Sequence, residues 1–414
     1  MRNRLKIAMV FSWSIFDQRG GAERIMCEMA SELTKRGHCV TVLSPDKQNG
    51  KPAYPIDDQV KLFFWGEGLA CNKISKIYRN VKSWNPDVRI RRSLRRFYEL
   101  DEKVFRLKDF LSKLHADVVI AYSFEAAYLV LRAIGDHIPV VTMSHTYPKV
   151  DYLRIIGNVK DEDGIVSYLL KNNRVRRQFE LYNNVVARST IVQVLMPEFI
   201  DEVRRIYPNV RVVCIPNAVA QYSCPSKLDR NVIINVARII PVKRQHLIVQ
   251  AFALLKNKFP NWVVEIWGQE QDPYCNKLRQ LIYSNGLEDR VKICGVSNKI
   301  EEKLEKASII LMTSSIEGFC LGMVEAMAKG LPAVGCKTCP AVNSNIKSGE
   351  NGFLCDETPE SIAEALALLM SDIELRRRLG ANARISAKAY TPQIIWDQWE
   401  SLLTEISESE EIKG

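Results

Sequence analysis

The sequence predicts an α/β protein made of two doubly wound domains, each with a parallel sheet. The chain has 414 residues, which is too long for one ordinary hydrophobic core. Short apolar runs typical of buried strands alternate with amphipathic helical stretches in both halves. The segment Cys214–Val219 contains a proline and separates the two series. We therefore expect one domain over residues 1–215, a second over 216–389 and a terminal helix within 390–414.

The first half is predicted to start with a strand, a helix and a second strand. Ile25, Met29 and Leu33 recur at helical spacing, which predicts an amphipathic helix over Gly21–Arg36 that Gly37 ends. The predicted strands of this half are Lys6–Val10, Cys39–Leu43, Lys61–Phe64, Asp117–Ala121, Pro139–Met143, Ile191–Leu195 and Arg211–Ile215.

The second half repeats the alternation, and this βαβ order favours a parallel sheet. Its predicted strands are Val232–Ala237, Trp262–Gly268, Val291–Cys294, Ile309–Met312 and Pro332–Gly335. Its predicted helices are His246–Lys258, Tyr274–Asn285, Ile300–Ala307 and Met323–Lys329, then helices within Pro359–Ala389 and a last one over Pro392–Ile406.

The composition is that of a globular protein, with 47% hydrophobic and 26% charged residues. No stretch approaches the roughly 20 apolar residues that a membrane-spanning helix needs. The basic N-terminus is followed by only a short apolar run without a small-residue cleavage site. We interpret that run as the first strand and not as a signal peptide, and we expect a cytoplasmic protein.

The eleven cysteines are scattered along the chain, mostly in apolar surroundings. Cys336 and Cys339 form one C-x-x-C pair, without a second pair or a nearby histidine. We expect reduced structural thiols, and a zinc or redox role is the alternative.

Basic charge is concentrated in the first half. Residues 1–215 hold 35 Lys and Arg against 24 Asp and Glu, whereas the remainder holds 23 against 24. Twelve of the basic residues lie between Lys73 and Lys108, interleaved with aromatic residues. This pattern is typical of a helix on an anionic membrane surface, and a solvated helical face is the alternative. No nucleic-acid-binding motif is present, so we expect no nucleic-acid partner.

The segment Thr313–Pro332 carries the strongest functional signal. Glu317 and Glu325 lie eight positions apart, the first on a loop after a predicted strand and the second about one turn into a predicted helix. Open α/β sheets bind ligands beyond the strand ends, and a helix N-terminus there favours a phosphate. Glu325 can accept hydrogen bonds from a ribose diol, and Glu317 can reach a sugar ring. The pattern therefore indicates a nucleotide-sugar site.

Arg238 and Lys243 provide a second signal after the predicted strand Val232–Ala237. At the C-terminal edge of a sheet, two cations can bind a pyrophosphate. Charge grows on the β-phosphate oxygens as a nucleoside diphosphate departs, so fixed cations stabilise the transition state more than the ground state. Alone, such cations are usually surface charges; with the two glutamates they indicate phosphate binding. We expect the adjacent Arg244 to point elsewhere.

These segments resemble the retaining family 4 glycosyltransferases. Thr313–Pro332 is similar to the E-x7-E motif of that family, and Arg238 with Lys243 is similar to its Arg/Lys pair. The resemblance covers roughly Leu5 to Leu403. It implies the GT-B fold, in which two Rossmann-like domains face a cleft and the C-terminal helix crosses back to the N-terminal domain. It also implies donor contacts from Gly318, Phe319, Cys320 and Leu321.

The match to the family motif has two departures. Cys320 stands where many relatives have Gly or Pro, and Gly322 is smaller than the usual apolar residue. We expect both to affect the shape of the donor-sugar site.

The N-terminal half contributes two further candidates. Gly20 and Gly21 start the first predicted helix, where glycines let backbone N–H groups approach a phosphate, although a simple tight turn is the alternative. Glu23 and Arg24 extend the similarity to the family at this point. His145 follows the predicted strand Pro139–Met143. The resemblance implies that it positions a hydroxyl of the donor sugar and is not a general base; a purely structural histidine is the alternative.

The resemblance places the nucleobase near Gly295 and Val296. Glu270 stands where the family has a second loop glycine, which leaves that loop's shape open. We expect no metal site: Asp161 and Asp163 form the single D-x-D, and we interpret it as a solvated acidic turn. The positive charge comes from Arg238 and Lys243 instead. We also expect no cofactor beyond the donor itself.

The sequence thus predicts a retaining, metal-independent hexosyl- or N-acetylhexosaminyltransferase that uses a nucleotide-diphosphate sugar, with uridine favoured by the resemblance. We expect a glycan acceptor at the inner membrane face, such as a polyprenyl-linked oligosaccharide, O-antigen, capsule or lipopolysaccharide core. Two alternatives stay open. A sugar-nucleotide epimerase or hydrolase of the same architecture would consume donor without acceptor, and a non-catalytic nucleotide-sugar-binding protein would show no turnover.

Overall fold

The computed structural model describes residues 4–15, 20–45, 52–65, 103–148 and 173–409. The chain forms two units, the first comprising Met1–Ile215 with Trp396–Gly414 and the second comprising Pro216–Ile395. Most of the basic segment between Lys73 and Lys108 lies outside the described residues, as does the acidic turn at 161–163. Within the described ranges, no helix combines the length and apolar character needed to cross a bilayer.

The first unit is built on a seven-stranded sheet whose neighbouring strands are all parallel. The strand order is β3-β2-β1-β4-β5-β6-β7. Its strands are β1 (Lys6–Val10), β2 (Cys39–Ser44), β3 (Lys61–Phe64), β4 (Val118–Ala121), β5 (Val140–Ser144), β6 (Ile191–Val194) and β7 (Arg211–Cys214). Its described helices are α1 (Gly21–Lys35), α2 (103–114), α3 (Phe124–Ile134), α4 (Asn173–Val186) and α5 (Phe199–Ile206).

The second unit is built on a six-stranded parallel sheet in the order β10-β9-β8-β11-β12-β13. Its strands are β8 (Val232–Val236), β9 (Val263–Trp267), β10 (Val291–Gly295), β11 (Ile309–Met312), β12 (Ala333–Cys336) and β13 (Gly352–Cys355). Its helices are α6 (Gln245–Leu255), α7 (Tyr274–Ser284), α8 (Ile300–Glu305), α9 (Leu321–Ala328), α10 (Pro340–Asn345), α11 (Pro359–Ser371) and α12 (Ile373–Ala387). Short 3₁₀ turns cover Pro241–Lys243 and Lys388–Tyr390.

Continuous apolar runs form the central strands because helices cover both faces of a parallel sheet. All four residues of β4 are buried, and so are all four residues of β11. In α1, Ile25, Met29 and Leu33 face the core, as their helical spacing predicts. The predicted α/β class with two doubly wound parallel sheets is therefore confirmed.

The last helix, α13 (Pro392–Glu408), belongs to the first unit from Trp396 onward. Trp399 and Leu403 are buried there. The guanidinium of Arg36, at the end of α1, binds Asp397 at 2.6 Å and Glu400 at 2.8 Å. Because Arg36 and Glu400 are both largely buried, this ion pair is shielded from solvent screening. The terminal helix thus returns to the N-terminal unit.

Two short elements were not predicted, β13 and α10. Strand β13 is only four residues long and begins at a glycine that follows Asn351, which is a turn signal in the sequence. A Cβ on Gly352 would lie 2.1 Å from the carbonyl oxygen of Ala333, so this edge strand pairs closely with β12 because it lacks a side chain there. The other elements differ from prediction by a few residues at their ends.

Candidate functional site

The second unit brings its candidate residues to one edge of its sheet. From β8 the strand order runs outward through β9 and β10 on one side, and through β11 to β13 on the other. The pair β8 and β11 is therefore the topological switch point, where open sheets form a ligand crevice beyond the strand ends. Arg238 and Lys243 follow β8, and Glu317 follows β11.

The loop after β8 presents its two cations differently. The side chain of Arg238 is exposed, and no partner for its guanidinium is found among the described residues. Lys243 ends the 3₁₀ turn and is largely buried. Arg244 has a left-handed backbone (φ 51°) and its guanidinium forms an ion pair with Glu357, so it points away from Lys243's partner. Gln245 donates from Nε2 to the Arg238 carbonyl at 2.9 Å, which holds the loop against α6.

Lys243 and Glu317 form the centre of the site. The Lys243 Nζ lies 2.6 Å from Glu317 Oε1, and both side chains are about seven-eighths buried, with 13% and 12% exposed. Ser314 donates its hydroxyl to the same Oε1 at 2.6 Å. A charged carboxylate that accepts a hydroxyl and contacts an ammonium is held in one orientation.

Hydrogen bonds join the two loops that carry this pair. The buried hydroxyl of Thr313 lies 2.9 Å from the carbonyl oxygen of Lys243 and 3.0 Å from that of Arg244, so its proton is shared between them. Ser315 donates its backbone N–H and its hydroxyl to the Val242 carbonyl, at 3.0 and 3.1 Å. The loop after β11 and the turn after β8 therefore form one hydrogen-bonded unit.

The N-terminus of α9 opens into the same region. Within the described residues, the backbone N–H groups of 318–322 donate to no backbone carbonyl. Cys320 precedes the helix with a left-handed backbone (φ 64°). A Cβ on Gly322 would lie 2.6 Å from the Val236 carbonyl oxygen, so this small residue lets α9 begin directly against β8. Free N–H groups and the helix dipole make this terminus a site for an anion.

The remaining residues of the motif are more buried. Glu325 lies in the second turn of α9 with 6% of its surface exposed. Phe319 is buried and packs edge-to-face on Tyr390 at 5.0 Å between ring centroids. Burial and the Glu317 carboxylate raise the pKa of Cys320 above its ordinary value, and the same two causes raise the pKa of Cys339 to about 12. Both thiols therefore stay protonated beside the Lys243–Glu317 pair.

The loops after β9 and β10 border the region next to β8. Gly268 donates its N–H to the Gly295 carbonyl at 2.7 Å, which joins these two loops. A Cβ on Gly268 would lie 1.9 Å from the Ala237 carbonyl oxygen, so the β9 loop requires glycine at this point. Gly295 has φ 70°, and the following Val296 is 49% exposed. Glu270, where a second glycine was expected, forms an ion pair with Arg279 and accepts from the Cys275 thiol at 3.2 Å.

In the first unit, α1 begins beside a buried carboxylate. Glu23 is 6% exposed, and its Oε1 accepts from the indole Nε1 of Trp13 at 3.2 Å. A Cβ on Gly20 would lie 2.3 Å from Glu23 Oε2. The glycine at position 20 thus makes room for this carboxylate. Gly21 is the first residue of α1 and is exposed.

His145 follows β5 and stacks on Tyr122, with ring centroids 4.1 Å apart and planes inclined by 20°. The residue as a whole is only partly buried, but its two ring nitrogens are inaccessible and have no hydrogen-bond partner among the described residues. Burial lowers the pKa of His145 to about 3, so the imidazole is uncharged near neutral pH.

The C-x-x-C cysteines do not act as a pair. Cys336 lies beside Cys355 on β13, and the two Cα positions are in register. The hydrogen bond between the two thiols, together with burial, raises the pKa of Cys336. Over the described ranges, no group of three histidine, cysteine or acidic side chains could hold a metal ion.

The sequence reasoning overlooked Thr313 and Ser314 in the second unit, and Trp13 in the first. A threonine or serine at the end of a strand carries no pattern of its own. Their position after a central strand at a switch point is the signal that could have drawn attention to them. Two doubly wound units, the second with cations and a free helix N-terminus at its switch point, are the fold and site of a nucleotide-binding enzyme.

Two family descriptions match the chain. "Glycosyltransferase Family 4" matches residues 19–220, and "Glycosyl transferases group 1" matches residues 223–386. Together they span most of the sequence, and the chain belongs to the family 4, group 1 glycosyltransferases. The resemblance seen in the sequence is thereby confirmed.

Similar proteins agree with this assignment. An exopolysaccharide phosphotransferase from Streptomyces coelicolor is 26% identical over 97% of this chain, which spans 41% of that longer protein. An uncharacterized glycosyltransferase from Haemophilus influenzae is 23% identical over 93% of this chain and 96% of its own length. The solved structure of TarM from S. aureus, in complex with fondaparinux, alpha-GlcNAc-glycerol and UDP, superimposes with a TM-score of 0.72 at 14% identity, covering 98% of this chain and 100% of that one. The fold is GT-B.

Proposed function

We propose that this enzyme is a retaining glycosyltransferase that moves a hexosyl or N-acetylhexosaminyl group from a UDP-sugar to a hydroxyl of a cell-surface glycan. The observation that carries the proposal is the contact between Lys243 and Glu317 at the switch point of the second unit, beside the free N-terminus of α9. Cations and N–H groups suit a diphosphate, and an oriented carboxylate suits a sugar hydroxyl.

The diphosphate is the leaving group, and its charge grows as the glycosidic bond breaks. Arg238 has a free guanidinium, and Lys243 has an ammonium that exchanges Glu317 for phosphate oxygens. The N–H groups of Gly318 to Leu321 add to this field without reorganising, which is the most effective form of electrostatic catalysis. Glu325 binds the ribose, and Gly295 with Val296 lines the base. His145 positions a hydroxyl of the transferred sugar as a neutral partner.

Retention is proposed to occur on one face of the sugar. The bond from the anomeric carbon to the β-phosphate oxygen breaks, and the acceptor oxygen bonds to that carbon from the same side. The departing phosphate oxygen takes the acceptor's proton, which closes the proton balance without a protein base. Glu317 is committed to Lys243 and Ser314, so it supports the sugar and is not the nucleophile.

Metal independence belongs to the same proposal, because the two cations take the place that a divalent ion holds in other transferases. Excess EDTA is expected to leave transfer unchanged. A loss of activity that Mg²⁺ or Mn²⁺ restores would contradict this part of the proposal.

The comparisons support the donor and the acceptor class. UDP occupies the TarM structure, and the Streptomyces relative is named for an exopolysaccharide. A lipid-linked oligosaccharide, O-antigen, capsule or lipopolysaccharide core fits this class. The test is a panel of UDP-, GDP- and ADP-sugars with a membrane extract as acceptor, read by mass spectrometry and by NMR of the anomeric configuration. We expect transfer from a UDP-sugar with retained configuration; release of an epimerised or free sugar, with no acceptor-dependent product, would overturn it.

We also propose that the enzyme is peripheral on the inner face of the membrane. In the described part of the basic segment, helix α2 buries Val104, Leu107 and Leu111. On its other side Phe105 is 80% exposed and Lys108 is exposed. An exposed aromatic beside basic residues is typical of binding to anionic headgroups.

Co-sedimentation with phosphatidylglycerol vesicles tests the membrane proposal. We expect salt-sensitive binding that the double variant Phe105→Ala/Lys108→Glu weakens several-fold. The exposed Lys258 of the second unit offers the control Lys258→Glu, which should not matter. Equal binding of both variants, or no binding by the wild type, would contradict peripheral attachment through α2.

A further inference from the structure

The first unit has a switch point of its own, between β1 and β4, where the strand order reverses direction. Three aromatic side chains and a histidine follow the strands that meet there. Phe11 and Trp13 come after β1, Tyr122 after β4 and His145 after β5. They form one cluster: Phe11 lies 4.6 Å from Tyr122 and 6.0 Å from Trp13, and Tyr122 stacks on His145 at 4.1 Å, all between ring centroids.

The first turn of α1 closes this cluster. Tyr122 donates its hydroxyl to the Ala22 carbonyl at 2.8 Å, and Trp13 donates its indole N–H to Glu23 at 3.2 Å. Glu23 rests against Gly20, whose missing Cβ leaves the space for its second carboxylate oxygen. A buried acid is therefore fixed at the switch point by an aromatic side chain that is itself only partly buried.

The charge of this region disfavours an anion. The helix N-terminus, which elsewhere attracts phosphate, here has a carboxylate against its first turn. The nearby Arg24 lies 3.6 Å from Glu28, one turn further along the helix. The imidazole of His145 is uncharged because burial lowers its pKa to about 3. A second anion would meet repulsion from Glu23 without a compensating imidazolium.

The same groups favour a neutral polyol. A carboxylate accepts strong hydrogen bonds from sugar hydroxyls, an indole offers an apolar ring for the C–H face of a pyranose, and the His145 nitrogens can each exchange one hydrogen bond with a hydroxyl. Pockets with aromatic walls and a few fixed polar groups are the usual form of small-ligand sites.

We propose that Trp13 and Glu23 form the acceptor-sugar site and select an uncharged sugar ring over a phosphorylated one. The inference rests on the glycosyltransferase function proposed above and names the acceptor class for it. It replaces the phosphate-binding role that Gly20 and Gly21 alone suggested. Glu23 accepts a hydrogen bond from an acceptor hydroxyl, and Trp13 holds the ring and the carboxylate together.

The test uses the full-length enzyme, a UDP-sugar that it hydrolyses, and octyl β-D-glucopyranoside with its 6-phosphate as acceptor probes. Glu23→Gln keeps the shape but removes the charge, and Trp13→Phe keeps a ring but removes the N–H. Glu28→Gln is the matched control, an exposed acid on the same helix. Three quantities are measured: UDP release without acceptor, the acceptor KM, and glycoside binding by saturation-transfer NMR in the presence of UDP.

We expect the wild type to bind the neutral glycoside at least tenfold more tightly than its phosphate. Glu23→Gln should raise the KM for the neutral glycoside about ten- to a hundredfold, as expected for the loss of a hydrogen bond to a charged group, and should narrow the preference. Trp13→Phe should raise the KM several-fold. UDP release without acceptor should stay within twofold of wild type in all variants, and Glu28→Gln should behave as wild type.

Two results would overturn the inference while leaving the glycosyltransferase function intact. One is an unchanged acceptor KM and NMR signal in Glu23→Gln. The other is a change in UDP affinity in that variant, which would place the donor phosphate at α1. Failure of the wild type to bind or hydrolyse any nucleotide sugar would instead overturn the proposed function, so the two failures are distinguishable.

Discussion

The ammonium of Lys243 and the carboxylate of Glu317 lie 2.6 Å apart, on loops that follow neighbouring central strands of the second unit. In this resting arrangement the cation that we assign to phosphate is neutralised by the acid that we assign to the sugar. Arg238 has no such partner among the described residues. Donor binding must therefore exchange a carboxylate for phosphate oxygens at Lys243, while Arg238 is available from the start.

Glu317→Gln should separate donor binding from transfer. Removing the carboxylate frees Lys243, so UDP should bind about three- to tenfold more tightly, a modest part of the Coulomb energy of such a pair. Turnover should fall about a hundredfold because the sugar loses an oriented acceptor. Titration calorimetry and initial rates measure the two effects. The control is Glu302→Gln, an exposed acid of the same unit. Weaker UDP binding with undiminished turnover would contradict the assignment.

Thr313→Val should disturb the site without changing its charges. Valine has the shape of threonine but leaves the carbonyls of Lys243 and Arg244 without their shared hydroxyl, which should cost about 1–3 kcal/mol of unfolding free energy. Because the two loops are then less firmly joined, UDP affinity and turnover should also fall. Ser226→Ala removes a buried hydroxyl that donates to the Ala307 carbonyl at 2.7 Å and serves as the control. Equal effects of both variants on UDP affinity would show that Thr313 is only structural.

Gly322→Ala should weaken both folding and donor binding. The new methyl would lie 2.6 Å from the Val236 carbonyl oxygen and 3.1 Å from the Val236 Cβ, so the start of α9 must move. Overpacking of this kind costs about 1–3 kcal/mol. The double variant Gly322→Ala/Val236→Gly removes the side-chain contact but not the carbonyl, so it should not restore UDP affinity. Full restoration would mean that the backbone contact is unimportant.

The central strands and the outline of the site were predictable from the sequence. Strands β8 and β11 are buried on both faces, so each is a continuous apolar run that cannot be mistaken for a surface segment. Arg238, Lys243 and Glu317 were expected at one sheet edge because charged residues directly after such strands must meet there. The structure does bring Lys243 and Glu317 into contact.

What the sequence could not show is long-range pairing. Strand β13 depends on Gly352 fitting against Ala333, a contact between residues far apart in the chain. Thr313 became visible only when its hydroxyl was seen between two carbonyls from another loop. Glu23 was noted for its similarity to the family, but its burial beside Trp13 needs the fold. Single polar residues carry no periodicity, so pattern reasoning does not find them.

His145 should make the first unit sensitive to acid. Burial lowers its pKa to about 3 in the folded protein, whereas an unfolded imidazole titrates near 6.5. Between these values the unfolded state binds the extra proton, so stability is complete above about pH 6.5 and is lost as the pH falls. At pH 5 the loss should be about 2 kcal/mol. Urea unfolding at pH 7.5 and 5.0 should show this difference in the wild type and not in His145→Asn. The exposed His115 provides the control His115→Asn, and equal acid sensitivity of His145→Asn and wild type would contradict the prediction.

The central claim is that Arg238 and Lys243 bind the diphosphate of a nucleotide sugar. Calorimetric titration of UDP into the wild type and into Arg238→Ala/Lys243→Ala tests it most directly, with the exposed Arg378→Ala as control. We expect the double variant to lose about a hundredfold or more in affinity, the scale of two charge-assisted phosphate contacts, while Arg378→Ala binds like the wild type. Unchanged affinity in the double variant, or a wild type that binds none of UDP, GDP and ADP, would contradict the account.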